Sequence, residues 1–261
     1  NRSCTRCIGV LVMIVLKTAR ELSVMKEACR ISAGALQVIG QAIEPGVTTG
    51  ELDGIAEKYI LSQGAKPNFK NYNGFPATAC ISINNEVIHG IPTAKRVLKA
   101  GDIVSIDLGA KFDGYHGDNA ATFAVGEVDE KTLKLLEVTK ESLYKGIEMA
   151  VPGNRVGDIS HAIEEHVSAY GFGIVRQYVG HGVGREMHEE PEIPNFGRAG
   201  HGPRLTAGMT IAIEPMINLV GDGVYTLSDG WTVKTVSKSP SAHFEHTIVI
   251  TNDGPVILTQ P

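Results

Sequence analysis

An internal repeat is the feature that most restricts how this 261-residue chain can fold. The motif Pro45-Gly46-x-x-x-Gly50-Glu51-Leu52 returns in the second half as Pro152-Gly153-x-x-x-Gly157-Asp158-Ile159. The same separation joins an apolar segment that ends in Asp107 to one that ends in Glu214. Because so many positions keep one offset, the sequence predicts a duplicated supersecondary unit and two halves related by a pseudo-twofold axis.

Each half opens with apolar residues spaced by three, four and seven, which predict an amphipathic helix over 22–43 and again over 133–147. A second helix is predicted after each Pro-Gly turn, over about 50–62 and 157–169, with a glycine as its stop signal. The strand predictions, which follow these helices, are 79–83, 103–108, 210–213 and 247–250. The predicted fold is α+β, with helices on one face of a mostly antiparallel sheet.

The segment 1–16 is interpreted as an N-terminal extension. Its apolar run, 8–16, has nine residues, whereas a bilayer span needs about 20. It also lacks the small-residue cleavage site of a signal peptide. No Pro- or Ser-rich linker divides the remainder, so residues 17–261 are expected to form one domain with halves of about 17–125 and 126–255.

Composition limits the function classes. Hydrophobic residues make up 43% of the chain and charged residues 20%, as in ordinary globular proteins, and the net charge of −5 argues against nucleic acid as a direct ligand. Four cysteines are too few for a disulfide-stapled fold, which favours a reducing compartment and a cytoplasmic location. Cys4 and Cys7 form one C-x-x-C pair, but no second ligand pair follows to complete a structural zinc site.

The dipeptide Asp113-Gly114 predicts a two-residue hairpin between strands 103–111 and 115–125. Closing that turn places Gly109 opposite Asp118 and Asp107 opposite Ala120. Asp107 and Asp118 are then diagonal neighbours on one face of the ribbon. Two unpaired carboxylates at this spacing repel each other, so a divalent cation between them is the simplest stabilising partner.

Further donors come from the second half. Glu214 is the repeat partner of Asp107, and Glu245 takes the place of Asp118 after an insertion of about 20 residues. His181 lies between glycines that would let a metal ion or substrate approach closely. Four carboxylates and one imidazole suit a pair of first-row divalent ions about 3.5 to 4 Å apart, a geometry that activates a bridging water.

Three motifs carry a resemblance to a known family. They are Tyr178-Val-Gly-His181-Gly-Val-Gly-Arg-Glu-Met-His188-Glu-Glu-Pro, Val87-Ile-His89-Gly-Ile-Pro and Asp229-Gly-Trp231-Thr-Val-Lys-Thr. From about residue 17 onward the chain resembles the type I methionine aminopeptidase family of the pita-bread metallopeptidases. The absence of a preceding domain and of a long second-half insertion favours this family over type II enzymes, aminopeptidase P and prolidase. Met187 departs from the aromatic residue that many relatives carry at this position, which leaves the shape of the pocket open.

The resemblance assigns roles to residues. It implies that the metal ligands, with Asp118 and Glu245 as bridging ligands, are Asp107, Asp118, His181, Glu214 and Glu245. It implies catalytic roles for His89, His188 and Glu214, with the two histidines binding substrate and Glu214 transferring a proton. The implied methionine pocket is lined by Tyr72, Phe75, Cys80 and Trp231.

The implied function is removal of the N-terminal methionine from nascent chains with a small second residue, through a metal-activated bridging water. The implied cofactors are two divalent ions drawn from Co, Mn, Fe and Zn. The implied partners are the N-termini of nascent chains at the ribosome. The protein itself is expected to be a monomer that does not associate with membranes. Two alternatives stay open: an Xaa-Pro peptidase on the same scaffold, and a peptide-binding module without catalysis.

Overall fold

A computed structural model describes residues 13–260. Cys4, Cys7 and most of the apolar run 8–16 lie outside the described residues. Helices open both halves, and their bounds are α1 Ala19–Gln41, α2 Thr49–Ser62, α3 Glu130–Glu148 and α4 Val156–Ser168. The predicted pair of helices in each half is therefore confirmed. None of the helices in the described part of the chain has the length and apolar character needed to cross a membrane.

The acid and the glycine that recur in the repeated motif each have a structural role at the start of a helix. Glu51 caps α2 by accepting the Thr48 amide at 2.8 Å, and Asp158 caps α4 by accepting the Arg155 amide at 2.7 Å. The glycine before each acid lies so close to a neighbouring loop that a Cβ on Gly50 or Gly157 would sit 2.8 or 2.3 Å from backbone atoms. The repeat thus preserves a cap and a close backbone approach in both halves.

The strands are short except for one central hairpin. Their bounds are β1 Lys66–Pro67, β2 Ala79–Ile83, β3 Glu86–Ile88, β4 Ile103–Phe112, β5 Tyr115–Ala124, β6 Gly173–Ile174, β7 Gly180–Gly182, β8 Glu189–Ile193, β9 Thr210–Ile213, β10 Met216–Asn218, β11 Val224–Thr226, β12 Val233–Thr235, β13 Ser241–His243, β14 Glu245–Thr251 and β15 Gly254–Ile257. A 3₁₀ turn spans Tyr72–Gly74.

One nine-stranded sheet carries the fold, in the order β1-β4-β5-β14-β9-β7-β8, with β2 added beside β4 and β15 beside β14. Two three-stranded sheets, β13-β10-β6 and β11-β12-β3, lie beside it. Every strand pair among the described residues is antiparallel. The expected α+β class with an antiparallel sheet is confirmed.

The central hairpin has the predicted register. Gly109 pairs with Asp118 and Asp107 pairs with Ala120. The turn residues Asp113 and Gly114 have φ angles of 44° and 82°, the left-handed values that a tight hairpin turn of this kind requires. The turn chemistry therefore fixes which face of the sheet carries the two aspartates.

Each half has its own apolar core between helices and sheet. In the first half, Ile31 and Ile39 of α1 and Ile60 of α2 pack with Ile81 and Ile106 of the sheet. The second half repeats this packing with its own helices and strands. The apolar stripe predicted for the helix over 133–147 was wrong at its first residue, because Leu133 is half exposed while Leu135 and Val138 of α3 are buried. The three acids described next come from strands in the middle of this sheet, β4, β5 and β14.

Candidate metal centre

The sheet register brings three acids onto one face. Asp107 of β4 lies opposite Ala120 of β5, and Ala120 lies opposite Glu245 of β14. Asp118 is two residues from Ala120 on the same strand. Because side chains alternate between faces, Asp107, Asp118 and Glu245 all project from the same side of the sheet, and the small Ala120 leaves space between them.

A second row brings the histidine to the same face. His181 of β7 pairs with Ala212 of β9, which pairs in turn with Thr247 of β14. The Thr247 hydroxyl bonds to the backbone of Asp118, 2.7 Å from its carbonyl oxygen and 3.2 Å from its amide nitrogen. This bridge closes the gap between β5 and β14 beside the acids.

Glu214 reaches the site from a break in the sheet. It stands with Pro215 between β9 and β10, where the chain leaves the large sheet for a small one. The Asn195 side-chain amide donates to the Glu214 carbonyl oxygen at 3.0 Å and holds the backbone there. The Glu214 side chain is 13% exposed, so it faces the site rather than open solvent.

Several donor atoms converge without ordinary partners. Asp118, His181 and Glu245 each offer one atom within 4.8 Å of the others. One oxygen each of Asp107, Asp118 and Glu245 is buried with no hydrogen-bond partner among the described residues. Buried carboxylate oxygens are costly unless a donor or a cation balances them, so this donor set fits divalent metal ions.

The ring of His181 is oriented as a ligand. Its Nδ1 lies 2.8 Å from the carbonyl oxygen of Gly182, which can only accept, so Nδ1 carries the proton. Its Nε2 then presents a lone pair and lies 3.5 Å from Oε1 of Glu214. Two electron-rich atoms that face each other at this distance are stabilised by a cation bound to both.

Electrostatics supports the same conclusion. Burial, reinforced by neighbouring carboxylates, raises the pKa values of Asp107, Glu214 and Glu245 well above their ordinary values. Burial also raises the pKa of Asp118 to about 7. Burial and then the nearby His188 lower the pKa of His181 to about 4, which keeps its ring neutral and able to ligate. A divalent cation removes the repulsion that raises the carboxylate values.

The glycines beside His181 serve a different purpose from the predicted one. A Cβ on Gly180 would lie 2.4 Å from the Ala212 carbonyl oxygen, and one on Gly182 would lie 2.3 Å from the Glu190 carbonyl oxygen. The glycines therefore admit the neighbouring strands β9 and β8. The interpretation that they make room for a metal ion or substrate was wrong.

All eleven site residues named from the sequence line one cavity of about 210 Å³. They are His89, His188, Glu214, Tyr72, Phe75, Cys80, Trp231, Asp107, Asp118, His181 and Glu245. Met187, the residue that departs from the family pattern, also lines the cavity. Phe69 and Asn73 line it too, although the sequence analysis did not name them. The fold thus brings the carboxylates and the proposed pocket residues into a single space.

Part of the cavity wall is apolar. Phe69, Phe75, Cys80 and Met187 form one buried cluster, and Trp231 packs edge-on against Phe75 with ring centroids 5.2 Å apart. Burial, with the negative charge of Asp107 opposite it in the sheet, raises the pKa of the Cys80 thiol well above its ordinary value, so the thiol stays neutral. Such a wall suits an apolar, polarisable side chain.

Two further histidines, His89 and His188, line the same cavity. His89 has a φ angle of 59°, an unusual backbone conformation for this residue type, and its ring packs edge-on against Tyr178 and Trp231. The ring of His188 lies 4.3 Å from that of His181, centroid to centroid. Burial lowers the pKa of both His89 and His188, so both rings are neutral near pH 7.

His243 was missed by the sequence analysis. Its side chain is fully buried, and its Nε2 lies 3.5 Å from Oε2 of Glu214. Neither ring nitrogen has a hydrogen-bond partner among the described residues. The one available signal was its position two residues before Glu245, which places it near the same strand junction.

Residues 23–252 match metallopeptidase family M24. The chain belongs to this family. The family expected from the sequence is therefore confirmed, and M24 metallopeptidases use divalent metal ions, in agreement with the donor set described above.

Within the M24 family, the chain is most informatively compared with three proteins. It is 55% identical to methionine aminopeptidase 1 of Bacillus subtilis, over 95% of this chain and 100% of that protein. It is 53% identical to the methionine aminopeptidase of Clostridium acetobutylicum, over 95% and 99% of the two chains. The crystal structure of the methionine aminopeptidase from Thermotoga maritima superposes with a TM-score of 0.94 at 47% identity and covers 95% and 100% of the two chains.

Other M24 proteins share the fold but extend beyond it. The prolidase from Pyrococcus furiosus has a TM-score of 0.78 and 27% identity, and this chain covers only 66% of it. The expected pita-bread fold is confirmed by both kinds of neighbour. Sequence identity is also higher to the methionine aminopeptidases, at 47% to 55%, than to the prolidase, at 27%.

Proposed function

We propose that this chain removes the N-terminal methionine from proteins and peptides, using divalent metal ions. The observation that carries the proposal is the convergence of four carboxylates and a ligand-oriented imidazole beside an apolar, sulfur-lined pocket. The full-length similarity to methionine aminopeptidases supports the substrate, since the chain is 53% and 55% identical to two of them.

We propose that two ions would be held by Asp107, Asp118, His181, Glu214 and Glu245. The charge balance supports this number, because four carboxylates are neutralised by two divalent cations and remain strongly repulsive with one. Co, Mn, Fe and Zn all accept this donor set. When bound, such a pair supplies an activated water and polarises the carbonyl of the scissile bond.

The side chains of the protein then divide the remaining tasks. Glu214 accepts the proton released by the attacking water and passes it to the leaving amine, a role supported by its position at the cavity beside the other carboxylates. His89 and His188, both neutral, donate hydrogen bonds to the substrate and to the oxygen that gains charge. The free amino end of the substrate is read by the carboxylates, which favours cleavage of only the first residue.

We propose that the apolar wall of Phe75, Cys80, Met187 and Trp231, with Tyr72 at the rim, receives the methionine side chain. A flexible thioether packs well against sulfur and aromatic edges. Peptides that begin Met-Ala should be cleaved faster than peptides that begin Met-Leu, because we propose a preference for a small second residue.

The substitution Asp118→Asn tests the proposal. It keeps the side-chain shape but removes one buried charge, and we expect loss of metal binding and of peptide cleavage while the circular dichroism spectrum and melting behaviour persist. The control Glu137→Gln removes a charge from an exposed ion pair on α3 and should change neither property. An Asp118→Asn variant with full metal content and full activity would refute the proposed site.

Two peptides separate the alternatives. A peptide that begins Met-Ala and one that begins Ala-Pro are offered to the metal-loaded protein, and faster cleavage of Ala-Pro would favour the Xaa-Pro peptidase suggested by the similarity to prolidase. Failure to bind Mn or Co and to cleave either peptide would favour a binding module without catalysis.

We further propose that residues 17–261 form one domain preceded by an extension over 1–16, and that it acts as a cytoplasmic monomer on nascent chains at the ribosome. The free thiols of Cys29 and Cys80 are compatible with a reducing compartment. Limited proteolysis, size-exclusion chromatography and co-sedimentation with translating ribosomes test these three statements separately.

A further inference from the structure

Two breaks in the sheets lie side by side at the edge of the metal centre. Strand β9 pairs with β14 in the large sheet, and β10 pairs with β13 in a small one. Both chain segments therefore change sheets at the same level, one at Glu214-Pro215 and the other at Phe244. The register places His246 opposite Ile213 before the break and His243 opposite Met216 after it. Backbone topology thus sets His243 next to Glu214.

The backbone of His243 is firmly held. The Thr122 hydroxyl lies 2.9 Å from the His243 carbonyl oxygen and 2.8 Å from its amide nitrogen. The ring is 1% exposed, and its polar contact within residues 13–260 is the one between Nε2 and Oε2 of Glu214 at 3.5 Å. A shift of about 0.5 Å would bring these two atoms to ordinary hydrogen-bond distance.

Glu214 has no other donor for its side chain among the described residues. The contact from Asn195 goes to its backbone carbonyl, and Nε2 of His181 is a lone pair directed at the other carboxylate oxygen. An ionised carboxylate only accepts hydrogen bonds, so a nitrogen that is hydrogen-bonded to it must carry a proton. Nε2 of His243 is free to carry that proton, because Nδ1 of the same ring has no hydrogen-bond partner among the described residues, whereas the proton of His181 is held on Nδ1 by Gly182. Carboxylates that ligate metals are themselves commonly held by such hydrogen bonds from a residue behind them.

We infer that His243 is a positioning residue for Glu214: its Nε2–H donates to Oε2 and so keeps Oε1 directed toward His181 and the metal site. This inference rests on the proposed function, because it matters only if Glu214 ligates and transfers a proton. Its consequence is that removing the donor weakens metal binding and proton transfer without removing any ligand.

The experiment uses the full-length protein and compares two variants in which His243 is replaced by an amide side chain of different length. In His243→Gln the amide nitrogen extends to the place of Nε2, whereas in His243→Asn it extends only to the place of Nδ1. His243→Leu has no hydrogen-bond donor in its side chain. The readouts are the affinity for Mn alone by titration calorimetry, and kcat and KM separately on a Met-Ala peptide.

We expect His243→Gln to retain the Mn affinity and kcat of the parent protein. His243→Asn and His243→Leu should each weaken Mn binding about 10-fold or more, with a fall in kcat larger than any change in KM. Ser241→Ala is the matched control on the same strand, since it removes buried hydrogen bonds to Ile217 and Asn218 and should leave Mn affinity unchanged.

Equal Mn affinity and equal kcat in the Gln and Asn variants would overturn the inference, and so would an unaltered Leu variant. If His243→Leu does not fold, the comparison of Gln with Asn still decides. A parent protein that neither binds Mn nor cleaves the peptide would instead refute the proposed function, which distinguishes the two failures.

Discussion

The phenol oxygen of Tyr72 lies 2.9 Å from Nδ1 of His188, and the two rings are 5.4 Å apart between centroids. Tyr72 belongs to the short 3₁₀ turn at the mouth of the cavity, between Asn71 and Asn73, whose φ angles of 68° and 48° are left-handed. A phenol that donates to Nδ1 places the proton of a neutral His188 on Nε2, the ring nitrogen on the opposite side, which is then available to substrate.

Tyr72→Phe should therefore weaken catalysis without disturbing the fold. The loss of one hydrogen bond is worth about 1 kcal/mol, or about a fivefold decrease in kcat on a Met-Ala peptide. Nitrogen-15 shifts of the His188 ring should show a mixture of tautomers in the variant and a single one in the parent. Tyr225→Phe, at an exposed position on β11, is the control and should leave both readouts unchanged. An unaltered tautomer signal in Tyr72→Phe would contradict this assignment.

Metal binding should release protons, and the release should depend on pH. Asp118, with a pKa raised to about 7, and Asp107, Glu214 and Glu245, with pKa values raised well above the ordinary range, hold protons that cations must displace. His181 contributes none above about pH 5, because burial lowers its pKa to about 4. The apparent Mn affinity should therefore rise between pH 6 and 8, and fewer protons should be released per ion at the higher pH.

The same pKa shifts predict how the folding stability of the metal-free protein changes with pH. A carboxyl whose pKa is raised on folding binds its proton more tightly in the folded state, so its contribution to stability is present below its unfolded pKa and is lost as pH rises through the folded value. Calorimetry in buffers with different ionisation enthalpies counts the protons, and melting with and without Mn measures the stability. A Mn affinity that does not change from pH 6 to 8 would contradict the assignment.

Sequence reasoning succeeded where local chemistry decides the structure. The turn residues Asp113 and Gly114 fix the hairpin register, and the register alone places Asp107 and Asp118 on one face. Likewise, the repeat predicts equivalent turns, and the bridges Thr48↔Val97 and Arg155↔Arg204 occur at equivalent positions in the two halves. These features depend on neighbours a few residues apart or on a pattern present twice.

The rest depends on pairing between distant segments. Between β9 and β14 the chain forms β10 to β13. Of these strands, β10 pairs with β6 and β12 pairs with β3, and both partners come from earlier in the chain. Nothing in the local sequence specifies those partners, so the place of His243 beside Glu214 could not be predicted. The error at Leu133 has a similar cause, since a helical stripe can be rotated by one or two residues until the strands beneath it are known.

Gly117 should tolerate no side chain. A Cβ there would lie 2.5 Å from the backbone nitrogen of Cys29, because α1 crosses β5 at this point, one residue before Asp118. We expect Gly117→Ala to cost about 2 kcal/mol or more of unfolding free energy, since backbone must move to admit the methyl group. Gly54→Ala is the control within α2, where a Cβ meets nothing within 4 Å. It should raise stability by about 0.5 to 1 kcal/mol. Urea titration of both variants makes the comparison, and equal effects would contradict the packing argument.

Lys17 and Glu189 form a buried ion pair that ties the segment just before α1 to the residue after His188. Their side chains are only 3% and 12% exposed. Lys17 also donates to the Val15 carbonyl oxygen at 3.2 Å, and its amide donates to the Gly208 carbonyl oxygen at 2.8 Å. Removing Lys17 leaves the largely buried charge of Glu189 without its counter-ion, so Lys17→Met should lower the unfolding free energy by about 3 kcal/mol.

The double variant Lys17→Met/Glu189→Leu should recover most of that loss, because two apolar side chains can replace a buried ion pair at little cost. Lys145→Met, which breaks the exposed pair with Glu148, is the matched control and should change stability by less than about 1 kcal/mol. Urea unfolding of the parent, Lys17→Met, Glu189→Leu and the double variant gives the full double-mutant cycle. If the double variant is no more stable than Lys17→Met, the loss arises from packing around Lys17 rather than from the charge left on Glu189.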